Sequence, residues 1–352
     1  MFLAFFKSVI IADIDKMIYK NSSIILGISM KTISIIFSLV FLLNLTLLLD
    51  DAYGKNNLND YKFFKLFGGK GSENGQLVAP HSIDIDKKGN VYVTDTGNNR
   101  IQKYDSDGNF LLKWGAEGSN DGEFIKLHDV AVDPSGKYVY TLELKNHRVQ
   151  KFTSEGNFIT KWGYEDTGGK GAERTPHQIS IDNSGYVYLT DKNSHQIIKF
   201  DENGKFVEVL GSRGSEAGQF YRPHGIVFDS KDNMYITDMR NSRVQVLDKD
   251  FQLVSQWGSY GNGSGQFSLT FPGIDIDENA GLVVVVDKLS TNVQVFDQKG
   301  KFLSTFGSKG TGEGQFKRPE DIAIDPQGRI FVCDTGNSRI QIFSTAYNPS
   351  RD

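Results

Sequence analysis

The sequence predicts an all-β fold: a six-bladed β-propeller of four-stranded antiparallel blades, closed by the N-terminal strand and preceded by one N-terminal hydrophobic helix. Three observations carry this. A unit of 47 to 49 residues recurs, marked by a glycine after an aromatic or apolar residue at Gly68, Gly115, Gly163, Gly211, Gly258 and Gly307. Each unit holds short strand patterns separated by turn residues. The last unit lacks its fourth strand, and a matching segment stands ahead of the first unit. Repeats of this length with four strands apiece are the mark of propeller blades.

Residues 1–54 read as a signal peptide or signal anchor. Thr32–Leu49 is an uncharged apolar run of 18 residues, close to the roughly 20 that cross a bilayer as a helix. Lys7, Lys16, Lys20 and Lys31 precede it, and Asp50 and Asp51 follow it. The positive-inside bias then keeps the N-terminus in the cytoplasm and sends the rest outward. Either the run stays as a single transmembrane anchor, or cleavage at Ala52-Tyr53-Gly54 releases the chain. The expected location is extracytoplasmic. Residues 55–60 are a linker, 61–346 the propeller and 347–352 a tail.

The first full unit shows the strand logic. Ser82 to Asp86 alternates and turns at Lys87-Lys88-Gly89-Asn90, and Val91 to Thr94 is β-branched and aromatic, ending at Asp95-Thr96-Gly97-Asn98. Ile101 to Tyr104 turns at Ser106-Asp107-Gly108-Asn109, and Phe110 to Trp114 alternates once more. Period-two runs of this length, with Gly, Asn and Asp between them, are antiparallel strands joined by hairpins. In the sixth unit the chain passes RIQIFS (Arg339 to Ser344) and then has no fourth strand. YKFFKLFG (Tyr61 to Gly68) matches FLLKWG and FLSTFG, so it is expected to complete the last blade and remove an open edge.

Composition narrows the function. Hydrophobic residues make up 38% and charged residues 23% of 352, ordinary for a globular chain. The net charge is −4 and no dense Lys/Arg run is present, which places nucleic-acid binding behind other readings. The single cysteine, Cys333, excludes an intramolecular disulfide and any CxxC motif, and its strand context reads as a small buried residue.

The motif Asp-x-x-Asn-x-Arg-[Ile/Val]-Gln recurs as DTGNNRIQKY from Asp95, DMRNSRVQVL from Asp238 and DTGNSRIQIF from Asp334, with ELKNHRVQKF from Glu143 close to it. Glycine-rich connectors end in Gly-Gln-Phe-x-x-Pro, as in GSRGSEAGQFYRP and GSKGTGEGQFKRP. Together these resemble NHL repeats over residues 61–346, with departures at Gln196 and Asn292, where the other units carry Arg. The resemblance implies a six-bladed propeller that serves as a binding platform for protein, RNA or small ligands.

The repeated polar residues Asp95, Arg100, Glu143, Arg148, Asp191, Asp238, Arg243, Asp287, Asp334 and Arg339 have two readings. They are candidates for binding at the channel mouth. They are also suited to structural stitching, with carboxylates accepting turn N–H groups and arginines bridging to them. DSDGN (Asp105 to Asn109) opens like a calcium loop but lacks the downstream glutamate, so it reads as a turn.

His81, His128, His177 and His224 open the first strand of units one to four, in PHSI, LHDV, PHQI and PHGI, and Pro272 and Glu320 hold that place in units five and six. First strands line a propeller's channel. Alternate blades then offer His128, His224 and Glu320, a two-His-one-carboxylate set suited to zinc or another divalent metal. His81 and His177 form a weaker set, incomplete at Pro272. The Pro-His motifs are similar to those of peptidyl-hydroxyglycine amidating lyases, a resemblance that implies zinc held by three histidines of alternate blades. That family's catalytic tyrosine has no counterpart at Thr96-Gly97, Lys192-Asn193 or Met239-Arg240. The leading expectation is an exported, non-enzymatic platform for a protein, peptide or envelope polymer. A metal-dependent lyase or hydrolase is the alternative, and an RNA-binding domain the third reading.

Overall fold

The computed structural model describes residues 60–164, 167 and 174–345. The apolar run 32–49 and the expected N-terminal helix lie outside these residues. Among the described residues no helix is long and apolar enough to cross a membrane.

Six four-stranded antiparallel sheets follow one another along the chain. Blade 1 comprises Ile83–Ile85, Val91–Asp95, Arg100–Tyr104 and Phe110–Trp114, and blade 2 Leu127–Val132, Tyr138–Glu143, Arg148–Thr153 and Phe158–Gly163. Blade 3 comprises Pro176–Ile181, Val187–Asp191, Gln196–Phe200 and Phe206–Leu210, and blade 4 Pro223–Phe228, Met234–Asp238, Arg243–Leu247 and Leu253–Trp257. Blade 5 comprises Ile274–Asp277, Leu282–Asp287, Asn292–Asp297 and Phe302–Phe306. Blade 6 takes Pro319–Ile324, Ile330–Asp334 and Arg339–Thr345 from the end of the chain and Tyr61–Gly68 from its beginning. The closure read from the sequence is made as expected: Tyr61 pairs with Thr345 and Gly68 with Arg339.

The first strands of successive blades touch in a closed circle around the axis. The apolar core lies between blades. Tyr92 and Ile101 of blade 1 meet Val130, Val139 and Phe152 of blade 2, and Phe331, Cys333 and Ile340 of blade 6 meet Ile83, Val93 and Tyr104 of blade 1. Each such side chain, fully buried, contributes about 1.5–3 kcal/mol. Burial also pushes the Cys333 thiol well up, so it stays a neutral core residue.

The connectors hold more structure than the sequence suggests. Ser212–Arg213 pairs in parallel with Gln219–Phe220, and Ser308–Lys309 with Gln315–Phe316, with matching bridges at Lys70–Leu77, Glu117–Phe124 and Tyr260–Phe267. The phenylalanine of Gly-Gln-Phe, or of Gly-Glu-Phe ahead of blade 2, folds onto the marker glycine. At Gly115, where φ is +101°, an added Cβ would stand 2.3 Å from the Phe124 ring. Position and conformation both demand glycine there.

One knot ties each connector to its blade. Asp95 Oδ2 accepts from Arg100 Nε at 2.6 Å, Asn98 Nδ2 at 2.8 Å and Gln102 Nε2 at 3.0 Å. Its Oδ1 accepts from Val78 N at 2.7 Å. The Arg100 guanidinium then donates to the connector carbonyls of Ser72, Glu73 and Gln76. Glu143–Arg148, Asp238–Arg243 and Asp334–Arg339 repeat this at 2.7–2.8 Å. Blade 3, with Gln196 in the arginine position, borrows Arg174 from its connector, 3.1 Å from Asp191. In blade 5, Asp287 has no ion pair among the described residues, and Ser268 and Ser290 supply its hydrogen bonds.

These differences set unequal costs. Asp95→Ala strands a buried guanidinium and should cost about 3–5 kcal/mol. Asp287→Ala breaks no ion pair, only hydrogen bonds from uncharged donors, and should cost about 1–3 kcal/mol. Chemical denaturation of both variants measures this, and equal losses would contradict the role given to the ion pair.

Candidate functional site

The knots fix how the chain enters the channel. Each buried carboxylate holds a backbone N–H just ahead of a first strand: Val78 before His81, Ile125 before His128, Thr175 before His177 and Tyr221 before His224. Ala79, Lys126, Arg222 and Arg318 then turn the chain in left-handed backbone, with φ between 46° and 61°. The next residues but one are His81, His128, His224 and Glu320.

The histidines meet in a row. Ring centroids stand 3.9 Å apart for His81 and His128, 4.7 Å for His128 and His177, and 3.7 Å for His177 and His224. Ligand atoms of His81, His128 and His177 all lie within 4.8 Å of one another, and among the described residues this is the group of three or more ligating side chains so placed. The converging set therefore comes from three consecutive blades. It is not His128, His224 and Glu320, the alternate-blade set expected from the sequence. Two causes account for this. Neighbouring first strands bring their leading side chains into ring contact, and Glu320 is engaged elsewhere, in ion pairs with Lys288 and, at 3.6 Å, Arg318. His224 continues the row by packing on His177.

Burial holds the four imidazoles neutral. Desolvation lowers all four pKa values, well below the usual histidine range for His128, His177 and His224. For His81, the Glu320 charge opposes the shift and Lys288 adds to it. On His128 and His177 the neighbouring imidazoles, with Lys192 beside them, act in the same direction as burial, and on His224 Lys192, Arg222 and Lys288 do. The Nδ1 atoms of His128 and His224 are buried without a hydrogen-bond partner among the described residues.

Behind the histidines lies a belt of acids that sequence reading missed. The Oδ2 atoms of Asp84, Asp129, Asp275 and Asp321 each accept from a first-strand N–H of the next blade: Val132, Ile179 and Ile324 at 2.6 Å, and Ile83 at 3.1 Å. Gln178 does the same for Ile226 at 2.7 Å. Between blades 4 and 5 close approach takes over, where a Cβ on Gly225 would stand 2.5 Å from the Pro272 carbonyl. Desolvation raises Asp84 and Asp321 to about 7, Asp275 to about 8, and Asp129 well above its ordinary value. A cavity of about 140 Å³ lies in this stretch of channel, with Asp84, Gln178, Ser180 and Asp275 among its walls. The signal for the belt was present as aspartates one or three residues past the leading position.

The repeated motif residues occupy a different place. Asp95, Glu143, Asp191, Asp238, Asp287 and Asp334 are fully buried, and Arg100, Arg148, Arg243 and Arg339 point back to their connectors. They do not line the mouth as binding residues, because each carboxylate is enclosed in its knot. Asp105 caps its own hairpin by accepting from Asp107 N, Asn109 N and Asn109 Nδ2.

Comparison with known proteins agrees with this architecture. Residues 77–104 and 316–343 match the family model described as NHL repeat, and residues 174–255 match one described as a 6-bladed beta-propeller. Protein lin-41 of Caenorhabditis elegans is 49% identical over 47 residues, which are 13% of this chain and 4% of that protein. The virginiamycin B lyase of Staphylococcus aureus aligns 81% of this chain with 99% of its own, at TM-score 0.55 and 15% identity. A streptogramin B lyase aligns 82% with 98%, at TM-score 0.55 and 12% identity. A Bacteroides thetaiotaomicron protein of unknown function aligns 80% with 73%, at TM-score 0.56 and 17% identity. These likenesses show a shared fold.

The acid belt and the histidines act on stability in different pH windows. Raised acids bind protons in the folded state that the unfolded chain, titrating near 3.9, has lost, so stability falls as pH climbs toward 8. The histidines resist protonation when folded, so their contribution is lost as pH falls below about 6.5. From about pH 6.5 to 8.5 the acids should dominate, and the melting temperature should decline. Asp275→Asn should make that decline shallower. A variant melting curve parallel to the wild type across this range would contradict the assignment.

Proposed function

We propose that this chain, an NHL-repeat six-bladed propeller, is an extracytoplasmic binding module whose specific site is the channel mouth, anchored by a divalent transition metal on His81, His128 and His177. The protein, peptide or envelope polymer it recognises docks over that metal. The convergence of three neutral imidazoles within 4.8 Å carries the reading. Zinc held at about 2.0–2.1 Å from each nitrogen sets those atoms roughly 3.3 Å apart in a tetrahedral site, a modest contraction of the cluster. The unpartnered, buried Nδ1 of His128 supports it, since such an atom left unsatisfied costs about 1–3 kcal/mol. An all-imidazole set suits zinc, copper or nickel.

Three protein ligands leave positions open, and that observation favours a second reading, a metal-dependent lyase or hydrolase. The bound metal would supply Lewis acidity there. In either reading the chain's own contribution is the same: blades 1 to 3 orient the three rings, and His224 walls the row from blade 4.

Chelator-treated protein should take up one equivalent of Co²⁺ with a visible absorption change, and His128→Ala or His81→Ala should weaken uptake by more than the roughly 10–100-fold that loss of an outer-shell partner costs. Absence of stoichiometric uptake by folded protein would overturn the metal. Export has its own check. A reporter fused after Asp352 should be active outside the membrane, and cytoplasmic activity would reverse that part of the proposal.

A further inference from the structure

Lys192 stands directly after the buried Asp191 of blade 3, beside the histidine row. Its side chain is partly buried, yet its ammonium makes no hydrogen bond or ion pair with any described residue. Asp191 cannot serve it, because Arg174 and Ser194 occupy that carboxylate at 3.1 Å and 2.7 Å. The Lys192 charge bears on all four imidazoles. Desolvation lowers its pKa, and the neighbouring charges of Arg222, Lys126 and Lys288 lower it further. Arg222 is held at the same mouth by its strained turn, and its Nε is buried without a partner among the described residues. Glu320, the carboxylate whose charge reaches the row at His81, is engaged by Lys288 and Arg318.

Like charges gathered in a partly desolvated place repel one another, and among the described residues the Lys192 ammonium and the Arg222 Nε have no partner. A planar or tetrahedral oxyanion answers both conditions, taking charge-assisted hydrogen bonds from an ammonium and a guanidinium together. We propose that Lys192 and Arg222 form a receptor for an oxyanion group, a phosphate or carboxylate, carried by the ligand that enters the channel mouth. This names the chemistry of the ligand proposed above; it rests on the mouth being the binding site and holds with or without the metal.

Calorimetric titration of the full-length chain with inorganic phosphate and with acetate, each on chelator-treated and Co²⁺-treated protein, tests this. Chelator-treated wild type should bind at least one of the two anions. Lys192→Met should weaken binding about tenfold or more, equivalent to ~1.4 kcal/mol, and Lys192→Arg should restore most of it. Phosphate preferred over acetate identifies a phosphate-bearing ligand, and the reverse a carboxylate. If neither anion binds either form at tens of millimolar, or Lys192→Met binds like wild type, the receptor is overturned. Co²⁺ uptake without anion binding removes this proposal and leaves the metal. Anion binding without Co²⁺ uptake removes the metal and leaves this proposal.

Discussion

The buried carboxylate that ends the second strand of each blade is the interaction on which the rest of the molecule depends. Asp95 joins three parts of the chain at one point: its own turn through Asn98, the third strand through Arg100 and Gln102, and the incoming connector through Val78. Arg100 then carries the connection into three further connector carbonyls. A buried ion pair contributes little net stability when compared with apolar packing, but it is costly to break and sets geometry. Here the geometry it sets reaches the proposed site. Val78 stands three residues before His81, so the same carboxylate that closes the blade aims the imidazole into the channel.

Below the mouth the channel is graded in charge. Cations surround neutral imidazoles at one level, and protonatable acids stitch blade to blade at the next. Each belt acid accepts from the neighbouring first strand and Gln178 does the same, so five of the six blade junctions are stitched on the inside by side-chain hydrogen bonds, and the ring is closed on the outside by the pairing of Tyr61–Gly68 with Arg339–Thr345. These acids carry a cost, because desolvation disfavours their charged form. The belt consequently links ring integrity to proton occupancy in a way that an apolar channel would not.

What the sequence made legible follows from periodicity. The recurring glycine, the four strand patterns and the displaced strand at Tyr61 define six blades because each is a local pattern repeated in register. The Pro-His motifs likewise identified the leading residues of the first strands. Which of them converge was not readable, since that depends on the spacing of neighbouring blades and on Lys288, from blade 5, engaging Glu320 of blade 6. Arg174 shows the same limit. It supplies the missing cation of blade 3 from a connector, 17 residues before its carboxylate, where no motif position marks it. The acid belt was hidden for another reason: an alternating strand does not declare which of its two faces looks into the channel.

The two proposed occupants of the mouth bear on each other. Imidazoles kept neutral are ready metal ligands, yet a dication placed on them meets Lys192, Arg222 and Lys288 nearby. An oxyanion offsets that repulsion, and a metal in turn strengthens the pull on the oxyanion. Binding free energies are reciprocal, so each must tighten the other by the same factor. A fold shared with lyases at 12–15% identity does not decide what such a mouth does, because function resides in the side chains grafted onto it. In this chain those side chains set neutral imidazoles beside Lys192 and Arg222, cations with no ion pair among the described residues, and each proposed occupant follows from its own half of that arrangement.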